Sequence, residues 1–134
     1  MKSHQLLIAV VCLLTLSSSF KTANKKLYDP KYYVATAKET FTDKSGYVVT
    51  NVVYVACDHD HTTTTVTNQL YTYYAAYYKK NRNSVSFGGR GDITAWAFDT
   101  RSAAESKRRE LIAQYNDRKF DVLLIERFSV LCDE

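Results

Sequence analysis

The chain has 134 residues, which is the length of one domain, and its 11 tyrosines, one proline and four glycines argue against a disordered tail. Eighteen lysines and arginines against 14 aspartates and glutamates give a formal net charge of +4. Because this excess favours polyanionic partners only weakly, we expect no nucleic-acid partner.

The N-terminus has the pattern of a secretory signal peptide. A short basic segment precedes the apolar run from Leu6 to Leu16, and three serines follow it. The run is well short of the roughly 20 residues that a transmembrane helix needs, so we expect cleavage near Ser19 and no stable membrane span afterwards. An uncleaved anchor is the alternative. The expected organisation is a leader at 1–19, a flexible segment at 20–29 and a single domain at 30–134, in a protein secreted to the periplasm or the extracellular space.

Removal of the leader leaves two cysteines, Cys57 and Cys132. In an oxidising compartment such a pair is more simply a disulfide than a metal or redox site. A loop of this length gives the bridge a stabilising effect of about 4 kcal/mol, so we expect it to be structural.

The first two strands are predicted on either side of a turn. Residues 31–41 alternate in polarity and are rich in Tyr and Thr, and residues 43–46 form a turn cluster. The segment from Tyr47 to Cys57 is β-branched and apolar on both faces, which is typical of a central strand covered on both sides. A hairpin joining the two runs is the simplest interpretation.

A helix is predicted after this hairpin, and an interrupted strand region follows the helix. Thr65 can serve as the N-cap, with an apolar stripe that includes Tyr73 and Tyr77, and asparagines near residue 82 end the helix. The strand region covers residues 84–98, and the glycine-rich segment 88–92 is a hairpin tip or a bulge within it.

The last two predicted elements are a helix and a strand. Ser102 and Glu105 have the spacing of a capping box at the start of the helix, and Asn116 and Asp117 end it. Residues 120–132 are apolar on both faces and predict an interior strand. The order of elements indicates an α+β fold, a two-layer sandwich with one mixed sheet of about four or five strands and two helices packed on it.

The segment after Cys57 is the most suggestive of a metal site. In an extended chain His59 and His61 project to one side, while Asp58 and Asp60 project to the other. Imidazoles and carboxylates suit zinc or another divalent ion, and a solvated polar turn is the alternative. No nucleophile and base can be assembled from motifs, so we expect no enzymatic activity and no cofactor.

Five tyrosines crowd the first helix, and basic residues follow them. Those outside the predicted apolar stripe would present aromatic surface to a sugar or a protein partner, or would pack at the margin of the sheet. If the two helices share a layer, the basic residues of both could form one surface with these rings. The candidate partner-binding residues are Tyr71, Tyr74, Tyr78, Lys79, Lys80 and Arg82.

Residues 94–115 resemble the strand-to-helix step of SPOR domains. The matching residues run from Trp96 through Phe98 to Glu105, with an aromatic at the end of a strand and an Ala-Glu pair opening a helix. The resemblance implies a small envelope domain that binds peptidoglycan glycan strands, with Trp96 and Phe98 on a glycan-facing sheet.

The sequence therefore favours a small secreted, non-catalytic domain that binds a protein or an envelope surface. Two alternatives stay open: a peptidoglycan or other glycan-binding module, and divalent-metal binding through His59 and His61.

Overall fold

The structure, a computed structural model, describes residues 29–57, 61–89 and 92–132. The strands of this part of the chain are β1 (Lys31–Thr40), β2 (Ser45–Thr50), β3 (Val53–Val55), β4 (Ser86–Phe87), β5 (Ile93–Phe98) and β6 (Asp121–Ile125). Its helices are α1 (Thr63–Tyr77), α2 (Lys79–Arg82) and α3 (Arg101–Asp117). The predicted α+β class with one mixed sheet is confirmed, with six strands and three helices in the described residues. The predicted leader, residues 1–19, lies outside them.

Strand β1 is the centre of the sheet. On one side it pairs antiparallel with β2 and β3, and on the other side with β4 and β5. Strand β6 lies beyond β2 and runs parallel to it. The segment predicted as the central strand, residues 47–57, is instead divided between β2 and β3.

The break between β2 and β3 is a β-bulge. The register of β1 differs by one residue between its two partners, so one extra residue lies in the partner segment. The Oγ1 of Thr50 accepts a hydrogen bond from the backbone N–H of Ala35 at 2.9 Å. The side-chain amide of Asn51 donates to the carbonyl of Phe128 at 3.0 Å and accepts from the N–H of Phe128 at 2.9 Å. The bulge therefore ties the sheet to the segment after β6.

The two long helices lie on opposite faces of the sheet. Tyr33, Ala35 and Ala37 of β1 belong to the core cluster that contains α1, whereas Val34 packs in the cluster that contains α3. Alternate residues of a strand face opposite sides, so the sheet is the middle of three layers. The predicted two-layer arrangement placed both helices in one layer, whereas they cover opposite faces because both faces of β1 are apolar.

The helix starts differ from the predicted ones. Thr62 is the N-cap of α1, and Thr65 is the third helical residue, whose side chain completes the capping box. Thr100 is the N-cap of α3 and accepts from the N–H of Ala103 at 3.2 Å. Each threonine starts its helix earlier than the sequence pattern indicated.

Strands β4 and β5 are not the two arms of a hairpin. Both pair antiparallel with β1 and on the same side of it, so the hairpin-tip alternative is wrong. The carbonyl of Lys38 accepts from the N–H of Gly88, and the N–H of Lys38 donates to the carbonyl of Asp92, both at 3.1 Å. These two bonds hold both Gly88 and Asp92 against β1.

Candidate functional site

The tyrosines of α1 divide differently from the predicted stripe. Val66, Leu70 and Tyr74 are the buried residues of the helix. Tyr71 and Tyr77 are 50% and 66% exposed, whereas Tyr74 is 0% exposed. The prediction that Tyr77 lies in the buried stripe is wrong. The assignment of Tyr74 to an exposed face is also wrong, because its ring stacks on the sheet residue Phe87 with a centroid distance of 3.6 Å.

A buried polar network explains the burial of Tyr74. Its phenol donates a hydrogen bond to the carboxylate of Glu39, which is fully buried at the end of β1. Arg82 donates to the same carboxylate, from Nε to Oε1 at 3.2 Å and from Nη2 to Oε2 at 2.7 Å. Burial is the main cause that raises the pKa of Tyr74 to about 12, and the bond to Glu39 adds to it.

Arg82 is a structural residue rather than a free cation. Besides Glu39, it bonds the Oδ1 of Asp121 at 3.2 Å, and Lys44 bonds the Oδ2 of Asp121 at 2.7 Å. The hydrogen bond of Arg82 to Glu39, and to a smaller extent that to Asp121, raises the pKa of Arg82 above its ordinary value. Because a buried carboxylate is stable only with its partners, Arg82 is committed to the fold and leaves the set of partner-binding candidates.

A groove runs beside α1, above this network. One hollow of about 240 Å³ is lined by residues of α1 and of the segment 84–87, and a second of about 580 Å³ continues it towards α2. Both hollows are lined by Ala75, Lys79, Ser84 and Val85. Tyr71 lines the first hollow only, and Val85, which is 71% exposed, forms a wall of both.

Lys80 lines the second hollow only. We name these two hollows the α1 groove.

Tyr78 does not take part in the α1 groove. It is half-buried and packs against the α1 core cluster, with its ring centroid 6.1 Å from that of Tyr74. Three residues of the predicted partner-binding set therefore lie together at the groove: Tyr71, Lys79 and Lys80. It adds Val85, which sequence reasoning missed because a single valine before a strand carries no distinguishing pattern.

A second cleft lies on the other face of the sheet, between α3 and strands β1, β2 and β5. Its volume is about 340 Å³, and Trp96 lines it together with Tyr47 and Tyr115. The rings of Tyr47 and Tyr115 are stacked at a centroid distance of 4.0 Å. The Nζ of Lys107 lies 5.1 Å from the centroid of Trp96, within cation–π range. We name this the α3 cleft.

The other predicted glycan-facing residue, Phe98, is half-buried in the core cluster under α3 and does not line the α3 cleft. The basic residues of α3 do not join those that follow α1, because the two helices cover opposite faces. The single basic and aromatic surface considered from the sequence is therefore not formed.

Of the predicted metal ligands, Asp58, His59 and Asp60 lie outside the described residues. His61 is 8% exposed, and its Nδ1 lies 2.9 Å from the phenol oxygen of Tyr33. Its buried Nε2 has no hydrogen-bond partner among the described residues. Within residues 29–57, 61–89 and 92–132, no group of three or more metal-ligating side chains is assembled.

The predicted disulfide between Cys57 and Cys132 is present. It joins the segment after β3 to the segment after β6, with a Cα–Cα distance of 5.6 Å. Next to it, the side-chain amide of Gln69 donates to the carbonyl of Leu131 at 2.7 Å and accepts from its N–H at 2.8 Å. The C-terminal segment is thus fixed covalently to the sheet and by hydrogen bonds to α1.

No family model, curated protein or solved structure matches this chain. None of the helices in the described residues has both the length and the apolar character that a membrane span needs.

Proposed function

We propose that this protein is a secreted, non-catalytic binding domain that docks an acidic, extended segment of a protein partner in the α1 groove. The observation that carries the proposal is the groove itself, where exposed apolar side chains lie beside two lysines. Secretion is supported by the disulfide, since such bonds persist in oxidising compartments.

Apolar contact would come from Tyr71 and Val85. Both are at least half exposed, and they line the same hollow above the stacked rings of Tyr74 and Phe87. A tyrosine offers a large rigid surface with a polar tip, which is why this residue type is enriched at protein interfaces. A partner side chain that covers both residues would remove this apolar surface from water.

The acidic character of the partner follows from Lys79 and Lys80. Both are exposed and line the groove, and neither ammonium pairs with a carboxylate in the part of the chain that the structure describes. Arg82, the next basic residue, is already neutralised by Glu39 and Asp121. Two uncompensated charges at the end of an apolar groove favour carboxylates on the partner.

The extended shape of the partner follows from the strand next to the groove. Among the described strands, β4 and β5 pair with β1 alone, so their outer edge carries unpaired backbone groups. Ser86 and Phe87 of β4 also line the groove, while the N–H of Val85 donates to the carbonyl of Thr40 in β1 at 2.7 Å. A peptide that adds to a sheet edge gains main-chain hydrogen bonds, while side-chain pockets provide specificity.

The test is a selection of binders from a random-peptide library on the oxidised protein, followed by titration of ¹⁵N-labelled protein with the selected peptides. We expect peptides with acidic residues, and shifts at the amides of Ala75, Ser84 and Val85. Tyr71→Ser combined with Val85→Ser should weaken binding about tenfold or more. The matched control is Tyr77→Ser, which removes an exposed tyrosine of the same helix outside the groove. Peptides without acidic bias, or equal affinity for the groove variant and the control, would overturn the proposal.

A further inference from the structure

We propose that the α3 cleft binds a small hydroxylated carboxylate on a compact ring, the chemical class of sugar acids. The site is separate from the α1 groove, since it lies on the opposite face of the sheet and uses other residues. Binding at the α3 cleft therefore does not depend on binding at the α1 groove, and the two can be tested separately.

The size of the cleft limits the ligand. Its volume of about 340 Å³ is at the lower end of the range of small-molecule sites, which run from about 300 to 1,000 Å³. The walls come from two regular layers, with Thr36 and Lys38 on β1 and Leu111 and Gln114 on α3. Because both layers are held by core packing, the cleft is formed before a ligand arrives.

Lys38 is the reason to expect a negative charge on the ligand. It is half-buried in the cleft, and its ammonium has no carboxylate partner within the described residues. Lys107 is the second ammonium of the cleft, and its partner Glu110 is 63% exposed at the side chain, so that this ion pair is open to solvent. A ligand carboxylate between Lys38 and Lys107 would receive charge-assisted hydrogen bonds, which are about twice as strong as neutral ones.

The remaining polar groups indicate hydroxyls on the ligand. Asp92, Thr94 and Gln114 are exposed residues that line the cleft. The Asp92 carboxylate can only accept hydrogen bonds, so it suits a hydroxyl donor of the ligand. It also disfavours any negative charge on the ligand beyond the one carboxylate. The Gln114 amide and the Thr94 hydroxyl can donate and accept, as a hydroxylated ligand requires.

The aromatic residues indicate a compact ring. Trp96 and Tyr47 line the cleft and present aromatic surface, and Leu111 adds an apolar contact. The ring of Tyr47 is held by its stack on Tyr115, whose phenol oxygen lies 3.3 Å from the donor Oγ1 of Thr36. The rings of Tyr47 and Trp96 would pack on the C–H faces of a saturated ring, as aromatic side chains do on sugars.

Trp96 also supplies the measurement, because it is the only tryptophan of the chain. Its fluorescence, followed during titration of the oxidised protein with D-glucuronate, should saturate with a Kd of about 1 mM. D-glucose lacks the carboxylate and acetate lacks the ring, so both should bind at least about tenfold more weakly. Equal affinity for glucose would overturn the carboxylate requirement, and equal affinity for acetate would overturn the ring requirement. No saturation with glucuronate would overturn the site.

Two variants complete the test. Lys38→Met keeps the aliphatic stem and removes the ammonium, and we expect glucuronate binding to weaken about tenfold. Lys80→Met is the matched control on the opposite face and should bind glucuronate like the wild type. The Tyr71→Ser and Val85→Ser variant should also leave this titration unchanged, which separates a failure of the α3 cleft from a failure of the α1 groove. An unchanged affinity of Lys38→Met would overturn the role of Lys38.

Discussion

The phenol of Tyr74 donates a hydrogen bond to the carboxylate of Glu39, and both side chains are completely buried. Tyr74 lies in α1 and Glu39 near the end of β1, so this bond fixes the helix on the sheet directly below the α1 groove. Arg82 supplies the charge that makes a buried carboxylate tolerable at this position.

Tyr74→Phe should destabilise the protein. The substitution keeps the ring stack on Phe87 but leaves an oxygen of the buried Glu39 carboxylate without one of its donors. We expect the free energy of unfolding to fall by about 1 to 3 kcal/mol, measured by urea denaturation. Tyr77→Phe removes an exposed hydroxyl of the same helix and should change stability by less than about 0.5 kcal/mol. Equal effects of the two substitutions would contradict the role given to the network.

Tyr74 should also make stability depend on pH in the alkaline range. Burial, with the bond to Glu39, raises the pKa of Tyr74 from 10.0 to about 12 in the folded protein. Between these values the unfolded state binds fewer protons, so the contribution is complete below pH about 10 and is lost as the pH rises towards 12. From pH about 9 to about 11.5 the free energy of unfolding should fall by about 2 kcal/mol more in the wild type than in Tyr74→Phe. Parallel pH profiles of the two proteins would show that Tyr74 does not contribute.

Gly88 and Gly89 should respond differently to alanine. Gly88 has a φ of +54°, and a Cβ there would lie 2.6 Å from the Cδ1 of Ile93. A Cβ on Gly89 would have Asp92 Oδ2 at 3.4 Å as its nearest neighbour. We expect Gly88→Ala to lower the unfolding free energy by about 1 to 2 kcal/mol and Gly89→Ala to change it by about 0.5 kcal/mol or less. Urea denaturation of both variants checks this, and equal stabilities would contradict it.

Reduction of the disulfide should lower stability without changing the fold. Cys57 and Cys132 are 75 residues apart, and opening a loop of that length costs about 4 kcal/mol in the chain-entropy description. The unfolding free energy of the Cys57→Ser and Cys132→Ser double variant should fall by about that amount, with an unchanged circular dichroism spectrum. Intact mass of the denatured wild type should rise by two hydrogens on reduction. Free thiols in the native protein would contradict the bridge.

The hairpin and the disulfide could be predicted because their signals are local or compositional. The alternation of residues 31–41 and the turn at 43–46 specify β1 and β2, and the two cysteines outside the leader leave one pairing. The boundary at residue 40 differs from the predicted one by a single position. The hairpin depends on residues that are near neighbours in the chain, and the disulfide on the number of cysteines, and a sequence shows both directly.

The buried face of α1 could not be predicted in the same way. After Leu70, a stripe through Tyr73 and Tyr77 and a stripe through Tyr74 and Tyr78 both have helical spacing. The hydrogen bond to Glu39 determines that Tyr74 is on the buried face. Glu39 is 35 residues from Tyr74, and the sequence around it does not indicate that it is buried. For the same reason Lys38 gave no signal in the sequence, since its place in a cleft depends on α3 covering the face of the sheet that β1 and β5 share.

The position of β1 has a consequence for the order in which this protein can fold. It is the first strand of the described chain, yet Tyr32 pairs with Phe98, the last residue of β5. During synthesis β1 can therefore form its hairpin with β2 early, but residues 32–37 on its second edge stay unpaired until β5 has emerged. Such long-range pairing slows folding and exposes an edge that can associate with other nascent chains. We expect the full sheet to form in a late, slow step, governed by the arrival of β5 and then of β6 rather than by the hairpin.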